Sequence, residues 1–183
     1  MPQLDPLQLD DIGSEVRGLY DEMISTRGSV PNLFATLGHS REMLEPAIMM
    51  SNFLSSENTF VPVYHKQLAY LAVSRMNDCE YSLQRHAKAA IKAGLSPEQV
   101  ESMLDKNQEP LDTPLFSEFD KTIIQFAEES TIGTQASAPT IEGIREEYTD
   151  IQFLELTYVV AMANMFNRLA NGLEVELEPE FNR

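Results

Sequence analysis

Cysteine and basic side chains are what this chain has least of. Among 183 residues there is a single cysteine, Cys79, so no intrachain disulfide framework can form. Only 13 Lys and Arg stand against 29 Asp and Glu, a net charge of −16. Binding to a phosphate backbone or an anionic membrane depends on Lys and Arg displacing counterions, and no basic cluster or basic helix stands out here. Nucleic acid and membrane are therefore not expected partners. Long hydrophobic runs are missing too. The most apolar stretch, Leu156 to Ala163, is bracketed by Glu155 and Asn164 and is too short to span a bilayer. The polar start, Met1 to Gly13, has neither a basic nor an apolar region of the secretory kind, so a cytoplasmic location is expected. No repeat, low-complexity segment, Gly-rich phosphate loop, dinucleotide fingerprint, Ser-His-Asp order or metal-ligand spacing is found. Nothing calls for a cofactor or a metal.

What remains is an ordinary globular composition, 43% hydrophobic and 23% charged. One domain over residues 1–183 is the natural reading. Helical punctuation recurs throughout. Ser14 and Gly28 bound a first helix with Val16, Leu19, Tyr20, Met23 and Ile24 on one face. Pro31 to Leu37 forms a short second helix, and a third spans about Ser40 to Ser55 with Pro46 forcing a kink or restart. Pro62 opens a fourth, whose inner face is marked by Leu68, Leu71, Ala72 and Met76. Asn77 or Asp78 stops it and caps a fifth, Cys79 to Ala93, closed by Gly94. Ser96-Pro97-Glu98-Gln99 has the pattern of a capping box. Thr113-Pro114 starts another helix with Phe116, Phe119, Ile123 and Phe126 inward. A loop from Ile132 to Thr140 and a short helix lead to a long last helix, about Asp150 to Asn171. That helix is apolar almost all round, hence central or shared with another subunit. No stretch alternates with period two over strand length, so the fold class is all-α.

The chemistry concentrates on the fifth helix. At about 100° per residue, Cys79, Ser82, Leu83, His86, Ala90 and Ala93 share one stripe, and Arg85, Lys88 and Lys92 lie opposite. Ser82 and His86 are one turn apart, close enough to hydrogen-bond. Cys79 is read as a reactive thiol or as a small buried hydrophobe. The helix start favours its thiolate, whereas burial, Asp78 and Glu80 oppose it. His86 is read as a general acid/base in an apolar pocket, oriented by Ser82, or as a core histidine satisfied by Ser82 or Gln67. His39 and His65 look like helix-end or surface positions, although His65 or Gln67 could help line a pocket. Tyr81 projects away from the stripe. Asn164, Asn167 and Asn171 are suited to interhelical hydrogen bonds.

The run Cys79-Glu80-Tyr81-Ser82-Leu83-Gln84-Arg85-His86, with the Ala-rich stretch to Ala93 and then Gly94-Leu95-Ser96-Pro97-Glu98, resembles the carboxymuconolactone decarboxylase / alkylhydroperoxidase D family. That family carries Cys-x-x-Cys-x-x-x-His at the start of a helix. Val30-Pro31-Asn32-Leu33-Phe34 and Phe166-Asn167-Arg168-Leu169-Ala170-Asn171 also look like its longer members. The resemblance implies an α-helical fold, a homo-oligomer (dimer, trimer or hexamer) and a small-molecule substrate. It also implies peroxidase-type or lactone-decarboxylase chemistry at Cys79, Ser82, His86 and Gln67. Two departures stand out. Ser82 occupies the second cysteine position, and Gln67, twelve residues before Cys79, occupies that of a glutamate. A hydroxyl forms no stable sulfenic acid or disulfide, and Gln67 hydrogen-bonds without shuttling a proton near neutral pH. The family's dithiol mechanism is not available within this chain. A peroxidase would be of the single-cysteine type with an external resolving thiol. The alternatives are cofactor-free acid/base catalysis by His86, or a binding protein without catalysis.

Overall fold

A computed structural model describes residues 2–181, and every secondary-structure element among them is helical. In chain order the α-helices are α1 (Ser14–Arg27), α2 (Asn32–Leu37), α3 (Arg41–Ser55), α4 (Val63–Met76), α5 (Glu80–Lys92), α6 (Pro97–Leu104), α7 (Glu118–Gly133), α8 (Ala138–Glu147) and α9 (Asp150–Gly172). The chain forms two compact units. The first takes in residues 2–53 and 169–181, the second residues 54–168.

In the first unit, α1 buries Val16, Tyr20 and Met23 at helical spacing. Gly28 ends it with a φ of 83° and returns its N–H to Ile24. Gly13 rather than Ser14 is the N-cap, and Pro31 caps α2 from just outside. Tyr20 donates its hydroxyl to the Ala35 carbonyl at 3.1 Å. Gly38 leaves room for that ring, because a Cβ there would meet the Tyr20 oxygen at 2.3 Å. Pro46 does not restart α3, which runs on past it as one helix.

The second unit is organised on α4. Pro62 caps it, and every residue from Lys66 to Ser74 is buried, so the helix is enclosed on all sides rather than one-faced. Met76, expected inward, is instead exposed at the helix end. α4 packs on α7, α5 and α6. α9 contributes Leu156, Val159, Val160, Met162, Ala163 and Phe166 to the core. The expected asparagine bridges form at two sites: Asn167 Nδ2 to Ser74 Oγ at 3.2 Å, and Asn77 Nδ2 to Asn164 Oδ1 at 3.0 Å. Thr113-Pro114 does not start α7. A 3-10 turn at Pro110–Asp112 comes first, and Ser117 caps α7 in a reciprocal box with Asp120. The loop after α7 is shorter than expected, because α8 already begins at Ala138.

The Ser96 box is complete: Gln99 N–H donates to Ser96 Oγ at 3.2 Å, and Ser96 N–H to Gln99 Oε1 at 2.8 Å. Ser96→Ala should cost about 1 kcal/mol. Urea unfolding should show a lower midpoint with an unchanged slope.

Candidate functional site

The turn between α4 and α5 sets the geometry. Asp78 takes a left-handed φ of 51°, a conformation that Asp tolerates better than most residues. The Cys79 N–H then reaches back to the Ser74 carbonyl at 2.9 Å. Lys106 pairs with the Asp78 carboxylate and holds the turn from outside. This places Cys79 at the N-cap of α5 rather than inside its first turn.

Cys79 is 0% exposed. Burial pushes its thiol pKa up, and Glu80 and Asp78 add to that, while the Ser82 hydroxyl and backbone N–H oppose it. The net direction is upward, so the thiol form prevails near neutral pH. Ser82 also hydrogen-bonds to the phenol of Tyr70, whose pKa burial raises. Ser82 therefore sits between a thiol and a phenol on the inner face.

His86 is met from α4. Its Nδ1 lies 3.0 Å from Gln67 Oε1, and its ring stacks on Tyr70 with centroids 3.8 Å apart and planes 26° apart. Of the two partners the sequence offered for His86, Ser82 and Gln67, it is Gln67 that meets the imidazole. Because an amide oxygen only accepts, Nδ1 carries the proton and Nε2 keeps the lone pair. Burial, and then the Arg85 charge, push the His86 pKa down to about 3. The imidazole is neutral at any ordinary pH.

A cavity of about 570 Å³ reaches Gln67, the partner of His86, while His86 itself is not part of its lining. Gln67 and Tyr64 line it from α4, Ala89 and Ala93 from α5, and Val61 and Val63 from the entry to α4. Lys92 and Glu57 bring opposite charges to it. Ala89 and Ala93 follow His86 at helical spacing, and their small side chains leave room for the cavity on that side of the helix. The volume is of the size that holds a small molecule.

All four expected site residues lie in one neighbourhood. Ser82 contacts Cys79, and Gln67 contacts His86. Tyr70, which touches both halves, was missed. Its signal was the spacing Gln67, Tyr70, Ser74 along one face of α4. His65 is a helix-end residue, as one of its two readings had it, lying in the first turn of α4 and half-buried there. Its Nδ1 lies 2.5 Å from Tyr148 Oη and its Nε2 3.4 Å from Asp120 Oδ1, and burial lowers its pKa. Asp120 also accepts from Tyr64 Oη at 3.4 Å, and Gln99 Nε2 donates to that same Tyr64 oxygen at 3.0 Å. Lys66 is fully buried, with its ammonium on the Ser56 carbonyl and Thr59 Oγ1, both at 2.7 Å. No group of three potential metal ligands occurs among the described residues.

Comparison with known proteins accords with this architecture. Residues 62–118, which hold α4, the motif and α6, match the model of the Carboxymuconolactone decarboxylase family. An uncharacterized protein of Bacillus subtilis, YdfG, is 22% identical over 107 residues, covering 57% of this chain and 70% of its own. Among solved structures, an alkylhydroperoxidase AhpD core protein, described as peroxidase-related, from Ralstonia eutropha superposes with a TM-score of 0.84 at 19% identity, over 98% of this chain and 94% of that one. A peroxidase-related protein from Silicibacter gives 0.82 at 20% identity, over 97% and 93%. The debrominase Bmp8, in complex with 2,3,4-tribromopyrrole, gives 0.80 at 14% identity, over 97% and 92%. At such identities the structural likeness establishes the fold.

Two outcomes follow from the site. Cys79 in the folded protein should alkylate far more slowly at pH 7 than in urea, as read by intact mass over time. His86 should also make stability pH-dependent. Its pKa falls from the ordinary 6.5 to about 3 in the folded state, so between those values the unfolded chain binds the extra proton. The stability linked to His86 is therefore whole above about pH 6.5 and is lost as pH falls toward 3. Urea midpoints at neutral pH and near pH 4.5 should differ less in His86→Gln than in the wild type.

Proposed function

We propose that this chain, whose residues 62–118 match the model of the Carboxymuconolactone decarboxylase family, is a cofactor-independent enzyme on a small molecule, with His86 as its proton acceptor. The observation that carries this reading is the Gln67–His86 bond. It fixes the tautomer and keeps Nε2 as a base, while stacking on Tyr70 holds the ring in place. Gln67 is then a positioning residue, and the cavity it borders is the place for substrate. A base generally acts in its neutral form, which a depressed pKa keeps populated, but its low basicity restricts it to protons that the substrate itself acidifies. Carbon acids flanked by two carbonyl groups come closest to that requirement. The reaction is expected to need no bound metal or organic group.

A second reading, single-thiol peroxide reduction at Cys79, draws on the Ser82 donors to its sulfur and on the peroxidase-related names of two structural relatives. It would consume a hydroperoxide, form a sulfenic acid and require an external thiol for its reduction. The full burial of Cys79 and its raised pKa weigh against it. The debrominase shares the fold and acts on other small molecules, so fold alone does not select the reaction.

One pair of variants separates the readings. Deuterium uptake and ring opening in a panel of lactones and β-keto acids would be followed by NMR in heavy water, and hydroperoxide loss would be followed with dithiothreitol. Acid/base turnover should fall on the order of 100-fold or more in His86→Gln and persist in Cys79→Ser. Hydroperoxide consumption lost in Cys79→Ser and kept in His86→Gln would replace the first reading with the second. Absence of both activities in the wild type would leave a binding protein.

A further inference from the structure

Gln67 has one end of its amide occupied and the other open. It is 2% exposed, and its Oε1 is taken by His86 Nδ1 at 3.0 Å. Its Nε2 has no hydrogen-bond partner among the described residues, and it is not one of the side-chain atoms sealed from the surface without one. A nearly buried amide nitrogen with no acceptor is costly and calls for an explanation.

The cavity supplies one. Gln67 lines it and His86 does not, so the part of the side chain that reaches the space is the end turned away from the imidazole, the amide nitrogen. Exposure along the lining separates a mouth from a floor. Glu57 and Lys92 are exposed and stand at the mouth, whereas Val61, 1% exposed, and Gln67 lie at the floor. Half-buried Val63, Ala89 and Ala93 form apolar walls between them. The hydroxyl of Tyr64, another wall residue, is already engaged by Asp120 and Gln99. The open polar group at depth is therefore Gln67 Nε2.

We infer that the Gln67 amide recognises the ligand of this cavity, with Nε2 donating to a carbonyl or enolate oxygen of a small molecule whose apolar body lies against Val61, Val63, Ala89 and Ala93. The floor offers donors and no open acceptor, since Oε1 is held by His86. An oxygen with lone pairs and no proton fits it, and an alcohol or amine proton would go unmatched. The His86 contact also fixes the amide plane, so the donors are aimed before the ligand arrives. A glutamate at position 67 would hold His86 as well, but an ionised carboxylate would turn an acceptor toward the cavity and repel such an oxygen. The glutamine converts the floor into a donor. A donor on the carbonyl oxygen also acidifies the neighbouring C–H, which is the help that a weakly basic imidazole requires. This role for Gln67 rests on the cavity being the place for substrate, as proposed above, and not on His86 being the base.

Binding is read without turnover. Dimedone, a cyclic diketone with a carbon acid between its carbonyl groups and an apolar gem-dimethyl end, would be titrated into the nitrogen-15-labelled full chain under reducing conditions. The side-chain amide pair of Gln67, identified by its absence from the spectrum of Gln67→Met, should shift saturably. Dimedone should bind about tenfold or more weakly to Gln67→Met and to Gln67→Glu. His86→Gln changes a residue outside the lining and can still donate to Gln67 Oε1, so it should keep the wild-type affinity even where turnover is lost. Failure of the acid/base reading and failure of this role for Gln67 thus give different results. Shifts at the Ala89 and Ala93 backbone amides with the Gln67 pair unmoved would overturn the inference. So would equal affinity in the wild type and Gln67→Met, or no saturable shift up to millimolar dimedone. If Gln67→Met fails to fold, Gln67→Glu, which keeps an acceptor for His86, supplies both the assignment and the affinity comparison.

Discussion

Between Lys66 and Ser74 helix α4 lies out of water on every side, and four of the residues in that stretch are polar: Lys66, Gln67, Tyr70 and Ser74. A buried polar group without a partner costs roughly 1–3 kcal/mol, so each of them recruits one from a neighbouring element. Lys66 takes the Ser56 carbonyl and Thr59, Gln67 takes His86, Tyr70 takes Ser82, and Ser74 takes Asn167. The enclosed helix thereby fixes the loop before it, the helix after it and the long last helix. The site is one product of that requirement.

The same enclosure sets the protonation states. The full burial of Cys79 and the partial burial of His86 disfavour the charged form of each, which raises one pKa and lowers the other. The result is a neutral thiol beside a neutral imidazole. Thiolate chemistry is thereby discouraged, while the neutral imidazole remains available as a base. The Ser82 substitution and the burial of Cys79 lead in the same direction: the first removes the redox partner, the second withholds the thiolate.

Much of the architecture was legible because it rests on local rules. The Ser96 box, the Gly28 end of α1 and the wholly helical content follow from capping residues, glycine and apolar spacing, and these survive in the folded chain. Errors arose where a local signal met a tertiary one. Thr113-Pro114 has the look of a helix start, but the complete box of Ser117 with Asp120 is the stronger cap, and α7 begins there. Pro46 lies inside α3, where it forgoes one backbone hydrogen bond, yet the helix continues through it. His65 sits near a helix start, as its position foretold, yet Tyr148 and Asp120 arrive from α7 and the end of α8 to enclose it.

By itself the sequence determined which groups are present and which share a helical face. It put Cys79, Ser82 and His86 on one stripe of α5, removed the second thiol and made the chain all-α. It also placed Gln67 where a glutamate was expected. The pairing of those groups was decided only by tertiary structure. Ser82 and His86 are a turn apart on one helix, but a hydrogen bond also needs direction, and α4 supplied better-directed partners to both. Spacing along a helix fixes which residues share a face. The partner on that face depends on the helix packed against it and on every buried polar group having to be satisfied at once.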